Sequence, residues 1–220
     1  MQTKTELLDS LFIEWKSHYT NMNIDIKEFN CDGIINESKY NAARKKLLFI
    51  LREPNQSLKD NDIRKDVANG PCFGLWYELS RWAYGIINNF PDFDIVEKDI
   101  EGKKEVFLGS SIMNLKKIAG GGSTDFNELN LFAYIDRDFI KREIEIIGPD
   151  LIICCNSFIE LMWALELKGI KDTISDLKTV FEKVYYYNDC PIYVFPYHPA
   201  HRKNRKKSYN DLKETFLRNR

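Results

Sequence analysis

The feature that most restricts the fold is a set of short, unbroken apolar runs: Leu47–Leu51 (LLFIL), Leu151–Cys155 (LIICC) and residues 192–195 (IYVF). None alternates apolar with polar residues. Each therefore reads as a strand buried on both faces, as in a parallel sheet covered by helices. Between the runs lie segments of helical period. Residues 5–19 place Leu7, Leu8, Leu11, Phe12 and Trp15 on one side, and 75–87 form a second, aromatic-rich helix. Residues 138–147 form a third, stopped by Gly148-Pro149, and Ser157 is the expected cap of a fourth that runs to about Leu167. Residues 106–115 read as a further strand, closed by the glycines 120–122. Residues 40–46 fit a helix or a loop, 180–187 a strand or a helix end, and 209–217 a basic closing helix. Residues 56–70 are polar and read as a mobile segment. Strands alternating with helices predict a single α/β domain over 1–220, with a mainly parallel central sheet and helices on both faces. Its first part, 1–45, is expected to be helical, and 201–220 to be a basic helix.

Composition removes other classes. At 44% hydrophobic and 30% charged, the 220 residues have ordinary globular composition, which excludes a disordered or collagen-like chain. No apolar run approaches the roughly 18 residues of a membrane span. The opening MQTKTELLDSLF is amphipathic and acidic, so a cytoplasmic protein without a membrane partner is expected. The five cysteines, Cys31, Cys72, Cys154, Cys155 and Cys190, are odd in number and contain no C-x-x-C pair. They read as small core residues and not as a disulfide or zinc framework.

In open α/β sheets, ligands bind beyond the carboxyl ends of the strands. The polar residues at those ends are Glu53, after the first run, Asn114, near the end of the second strand, and His198, after the last. A carboxylate, an amide and an imidazole on one sheet edge make a set able to handle protons and recognise a ligand.

The segments FILREPN, GPCFG, SSIMNLKK, GPDLIICCNSF and FPYHPAHRKN carry these residues, and in that order they resemble the uracil-DNA glycosylase superfamily. The likeness spans about residues 46–205, and HPA after an apolar strand looks most like the thermophile-type branch. The resemblance implies a hydrolase that excises uracil or another modified base flipped out of DNA. It implies Glu53 as the carboxylate that positions water and stabilises a cationic sugar, and His198 as the group that stabilises the departing base. Asn114 would bond the edge of the base, Phe73 would stack on it, and Pro54 and Asn55 would shape the wall. The physics of base excision agrees: the base must leave the stack, be read on its edge and be held against an aromatic face. Bond cleavage leaves charge on both fragments, which calls for opposed stabilisers.

The chain departs from the pattern at Arg52, which stands where the thermophile-type branch has Glu, and at Leu51 and Asn55, where glycines are usual. The cysteines that hold an iron–sulfur cluster in that branch have no counterparts in spacing, so no cluster is expected. His198 and His201 lack the further ligands that catalytic zinc requires, so neither a metal nor a redox cofactor is predicted. The formal net charge of −1 divides unevenly: residues 201–220 carry +6 and the rest −7. His201, Arg202, Lys203, Arg205, Lys206 and Lys207 begin this basic part beside the His-Pro motif, and predict local, salt-sensitive contacts to DNA phosphates by a monomer. Two other readings stand beside this one. One is a glycosylase-fold protein that binds nucleic acid or nucleotide without cleaving it. The other is a nucleotide hydrolase using the Gly120–Gly122 loop.

Overall fold

All five residues of Leu47–Leu51 are buried, and they alternate between two apolar layers. Leu48 and Ile50 face one, Leu47, Phe49 and Leu51 the other. The computed structural model describes residues 2–55, 62–167, 183–200 and 204–218. Among these lie six strands in one sheet: β1 (Gly33–Ile34), β2 (Leu47–Leu51), β3 (Ser111–Asn114), β4 (Leu151–Cys155), β5 (Val184–Tyr187) and β6 (Cys190–Phe195). Their order is β1-β3-β2-β4-β6-β5. The four central strands are parallel, while β1 and β5 are antiparallel edges. The sheet is thus mixed, with a parallel centre.

The described helices are α1 (Lys4–Asn21), α2 (Glu37–Ala42), α3 (Ile63–Asp66), α4 (Gly74–Ile87), α5 (Phe93–Lys98), α6 (Ile100–Leu108), α7 (Phe126–Ile135), α8 (Arg137–Ile147), α9 (Phe158–Leu165) and α10 (Arg205–Arg218). Helices α1, α7, α8 and α9 cover one face; α4, α6 and α10, with α3 and α5, cover the other. Each buried aliphatic or aromatic side chain in these layers is worth about 1.5–3 kcal/mol of transfer free energy. None of the described helices is long and apolar enough to cross a membrane.

Several expectations need correction. Residues 106–115 are not one strand: Asp99 caps α6 by accepting the Gly102 N–H at 2.8 Å, and Val106 to Leu108 form its last turn. The strand begins only after Gly109 and Ser110. Ser157 is the N-cap residue of α9, but its side chain makes no capping bond; its hydroxyl donates instead to the Ile50 carbonyl at 2.9 Å and ties the turn after β4 to β2. The first 45 residues carry β1 as well as helices. The C-terminal helix starts at Arg205, four residues before its expected start at 209, and Asn204 Oδ1 accepts the Lys207 N–H at 3.1 Å. Helix α10 packs on the domain: Tyr209 and Leu212 are fully buried, and Phe216 stacks on Tyr193 at 4.1 Å. Residues 56–61 of the polar segment and 180–182 of the ambiguous one lie outside the described residues.

Candidate active site

Strand register assembles the site. Strands β2 and β3 pair Leu51 with Asn114. The pairing runs on past the strand ends, with Leu115 N donating to Leu51 O and Lys116 N to Arg52 O. Glu53 thereby falls beside Lys116, and the two side chains form an ion pair at 2.9 Å with only 3% and 2% of their surface exposed. Lys116 also holds Glu128 of α7 at 2.9 Å. Burial alone would lower the lysine, but its bonds to the two carboxylates outweigh that and raise it. A buried carboxylate is stable only when paired in this way.

Pro54 ends β2, and its carbonyl accepts the Gly120 N–H at 2.8 Å. This brings the glycine loop directly onto Glu53. A Cβ at position 120 would sit 2.5 and 2.6 Å from the two carboxylate oxygens, so any other residue there would displace the carboxylate. The loop that follows β3 therefore forms one wall of the Glu53 site.

The residues picked out on the strand ends line one cleft. Glu53, Pro54, Asn55, Phe73, Asn114 and His198 surround a cavity of ≈ 180 Å³, completed by apolar Leu51, Ile63, Leu75 and Trp76. Phe73 is half exposed at the start of α4, with its ring tilted against Trp76 at 5.5 Å. Of the aromatic set on α4, Trp82 is core, Trp76 is buried and lines the cleft, and Tyr77 faces outward. A second, more polar cavity of ≈ 220 Å³ adjoins the first. Glu53, Asn55 and His198 belong to both; Arg52, Ser123, Thr124 and Asn156 belong to the second alone.

His198 Nδ1 accepts the Ala200 backbone N–H at 3.3 Å, which places the ring proton on Nε2. Asn114 donates its side-chain amide to Asp32 at 3.2 Å, and its backbone N–H reaches the same oxygen at 2.7 Å. Its carboxamide oxygen is then the acceptor it can offer the cleft.

Asp32 opens onto a network that the motifs gave no hint of. Lys117, fully buried, lies 2.6 Å from Asp32 and 2.8 Å from Glu143, both also fully buried. Its ammonium sits over the rings of Phe12 and Trp15. Burial would lower Lys117, yet the two carboxylates raise it. Burial pushes Glu143 well above the carboxylate range; Lys117 opposes this and the charge of Asp32 adds to it. Nearby Asp136 accepts from Trp15 Nε1 at 2.9 Å and from the Tyr19 hydroxyl, and burial drives it up to about 7. The only sequence signal for all this was a pair of lysines directly after an apolar strand.

Arg52 does not pair with Glu53 as its sequence neighbour. Its Nε donates to Asn156 O at 2.8 Å, and its guanidinium lies over the Phe126 ring at 4.8 Å. The cation held by Glu53 is Lys116. Among the basic residues expected to meet DNA, His201, Arg202 and Lys203 lie outside the described residues. Lys206 pairs with Asp94 at 3.7 Å and Lys207 with Asp211 at 3.0 Å, while Arg205 is exposed at the start of α10.

Fold and cleft together define a single α/β domain with a two-compartment pocket at the carboxyl edge of its sheet. No protein-family model matches the chain, and no curated protein matches it.

Proposed function

We propose that the protein is a DNA glycosylase-like hydrolase that cleaves the N-glycosidic bond of uracil or another modified base flipped out of DNA. The observation that carries this reading is the pair of adjoining compartments with Glu53, Asn55 and His198 at their junction. The apolar compartment is smaller than the about 300–1,000 Å³ of drug-sized pockets. It suits one heterocycle, stacked on Phe73 and accepted on an N–H edge by Asn114 Oδ1. The polar compartment suits sugar and backbone. A glycosidic bond passing from one to the other crosses the junction.

At that junction the C1′–N bond breaks and its electron pair leaves with the base, which receives a hydrogen bond from His198 Nε2–H. The carboxylate of Glu53 lies beside the cationic sugar and orients the water that adds to C1′; the water's proton passes to the carboxylate. Lys116 and Gly120 fix that carboxylate in place. Arg205, exposed at the start of α10, supplies a phosphate contact.

Oligonucleotides bearing uracil, hypoxanthine or xanthine test the proposal. Wild type is expected to leave abasic sites in at least one. Glu53→Gln and His198→Ala are each expected to lose about 100-fold or more, in line with removal of a charge-stabilising group. Absence of abasic product with every base, from a folded wild-type protein, removes the hydrolase reading. The tight Glu53–Lys116 pair favours one second reading, a protein of the same pocket that binds the base without cleaving it. Its signature is salt-dependent binding to base-modified DNA with no abasic product.

A further inference from the structure

Arg52 takes no part in the steps above, yet two contacts hold it in place on the cleft. The β2–β4 register, which pairs Ile50 with Cys154, carries Arg52 alongside Asn156. Asn156 adopts a left-handed backbone (φ 56), and its carbonyl accepts the Arg52 Nε–H. The half-exposed ring of Phe126 supports the guanidinium from one face. One edge and one face of the fork are thus fixed, and Arg52 lines the polar compartment together with Ser123 and Thr124. Burial lowers Arg52 from its ordinary value, opposed by Glu160 and Glu53, which leaves it a cation near neutrality. The carboxylate on this compartment's wall, Glu53, is already met by Lys116, and Glu160 is itself pushed toward its neutral form by burial. Gly121 and Gly122 have open space where a Cβ would be, so the loop backbone is open to close approach.

We infer that the polar compartment is a phosphate site. Arg52 is its fixed clamp and Ser123 and Thr124 are its neutral donors, binding the phosphate group attached to the nucleotide whose base fills the apolar compartment. This rests on the reading that a nucleotide occupies the cleft, but not on its being cleaved. A pinned guanidinium suits the role because its planar fork meets phosphate oxygens in pairs, with little ordering left to do on binding.

The test is calorimetric titration of the full chain with deoxyuridine, deoxyuridine 5′-monophosphate and deoxyuridine 3′-monophosphate, run beside the excision assay. Wild type is expected to prefer one monophosphate over the nucleoside by about ten- to a hundred-fold, the range of charge-assisted bonds. The choice between the 5′ and 3′ compounds identifies which flanking phosphate is held. Arg52→Gln is expected to abolish the preference while deoxyuridine binding stays the same. Phe126→Ala, which alters a half-exposed ring and leaves the core intact, is expected to reduce the preference several-fold. Should wild type bind nucleoside and monophosphates equally, or not at all, or should Arg52→Gln keep the preference, the phosphate site is overturned. Base excision by wild type in those cases leaves the hydrolase reading standing. A phosphate preference lost in Arg52→Gln, with no excision of any base, removes the hydrolase and keeps the site.

Discussion

Lys116 and Lys117 are neighbours in the chain, each is almost wholly buried, and each holds two carboxylates. Their surroundings differ in one respect. Glu128, one partner of Lys116, is half exposed, and the other, Glu53, lines the cleft. Both partners of Lys117 are sealed beneath α1 and α8. The first cluster can exchange with solvent and with a ligand; the second cannot. Charge buried beside the cleft is therefore paired on one side and open on the other, while charge buried purely in the frame is closed on all sides.

Replacing the lysines separates the two roles. Lys117→Ala leaves Asp32 and Glu143 without their cation, and is expected to cost about 3–5 kcal/mol in urea unfolding, enough to unfold a marginal domain. Lys116→Gln is expected to cost less, about 1–3 kcal/mol, because Glu128 can turn to water. Its larger effect falls on turnover: if base excision persists at the wild-type rate, Lys116 does not position Glu53. Gly120→Ala forces Glu53 aside, with an expected loss of about 1–2 kcal/mol and a fall in kcat with KM little changed. A variant with wild-type kcat would show that the glycine's approach to the carboxylate is incidental.

The sealed region also predicts a pH dependence. Asp136 sits at about 7 in the fold against an ordinary 3.8, so between roughly pH 4 and 7 the native state binds more protons than the unfolded chain. Its contribution is fully present below about pH 4 and is lost as pH rises through 7, with a slope of at most about 1.4 kcal/mol per pH unit. Asp136→Asn is expected to flatten this part of the profile. Unfolding midpoints of wild type and variant measured at pH 5 and pH 7 check it, and equal slopes would place the proton elsewhere, Glu143 first.

The sequence made the sheet's centre legible because strands buried on both faces cannot hide their apolar runs: Leu47–Leu51 and Leu151–Cys155 match the strands residue for residue. It also brought out Glu53, Asn114 and His198, since strand ends and a proline mark where a parallel sheet presents its ligand edge, whereas Phe73, at the start of α4, was singled out only by the resemblance of GPCFG. It misplaced the start of β3 because Val106, Phe107 and Leu108 form an apolar triplet whether helical or extended. Only the Asp99 cap and the i, i+4 burial of Lys103 and Phe107 decide for helix. Helix α7 escaped notice because exposed Leu131 and Tyr134 blur its period. The lysine clusters were not legible at all. One partner of each lies far off in the chain, Glu53 63 residues from Lys116 and Asp32 85 from Lys117, and only strand register and helix placement bring them together.

The strand order has a consequence for synthesis. Glu53 emerges from the ribosome 145 residues ahead of His198. At roughly 5–20 residues per second, the carboxylate waits roughly 7–30 s for the imidazole that completes its pocket. During that interval the nascent chain carries only one side of the cleft.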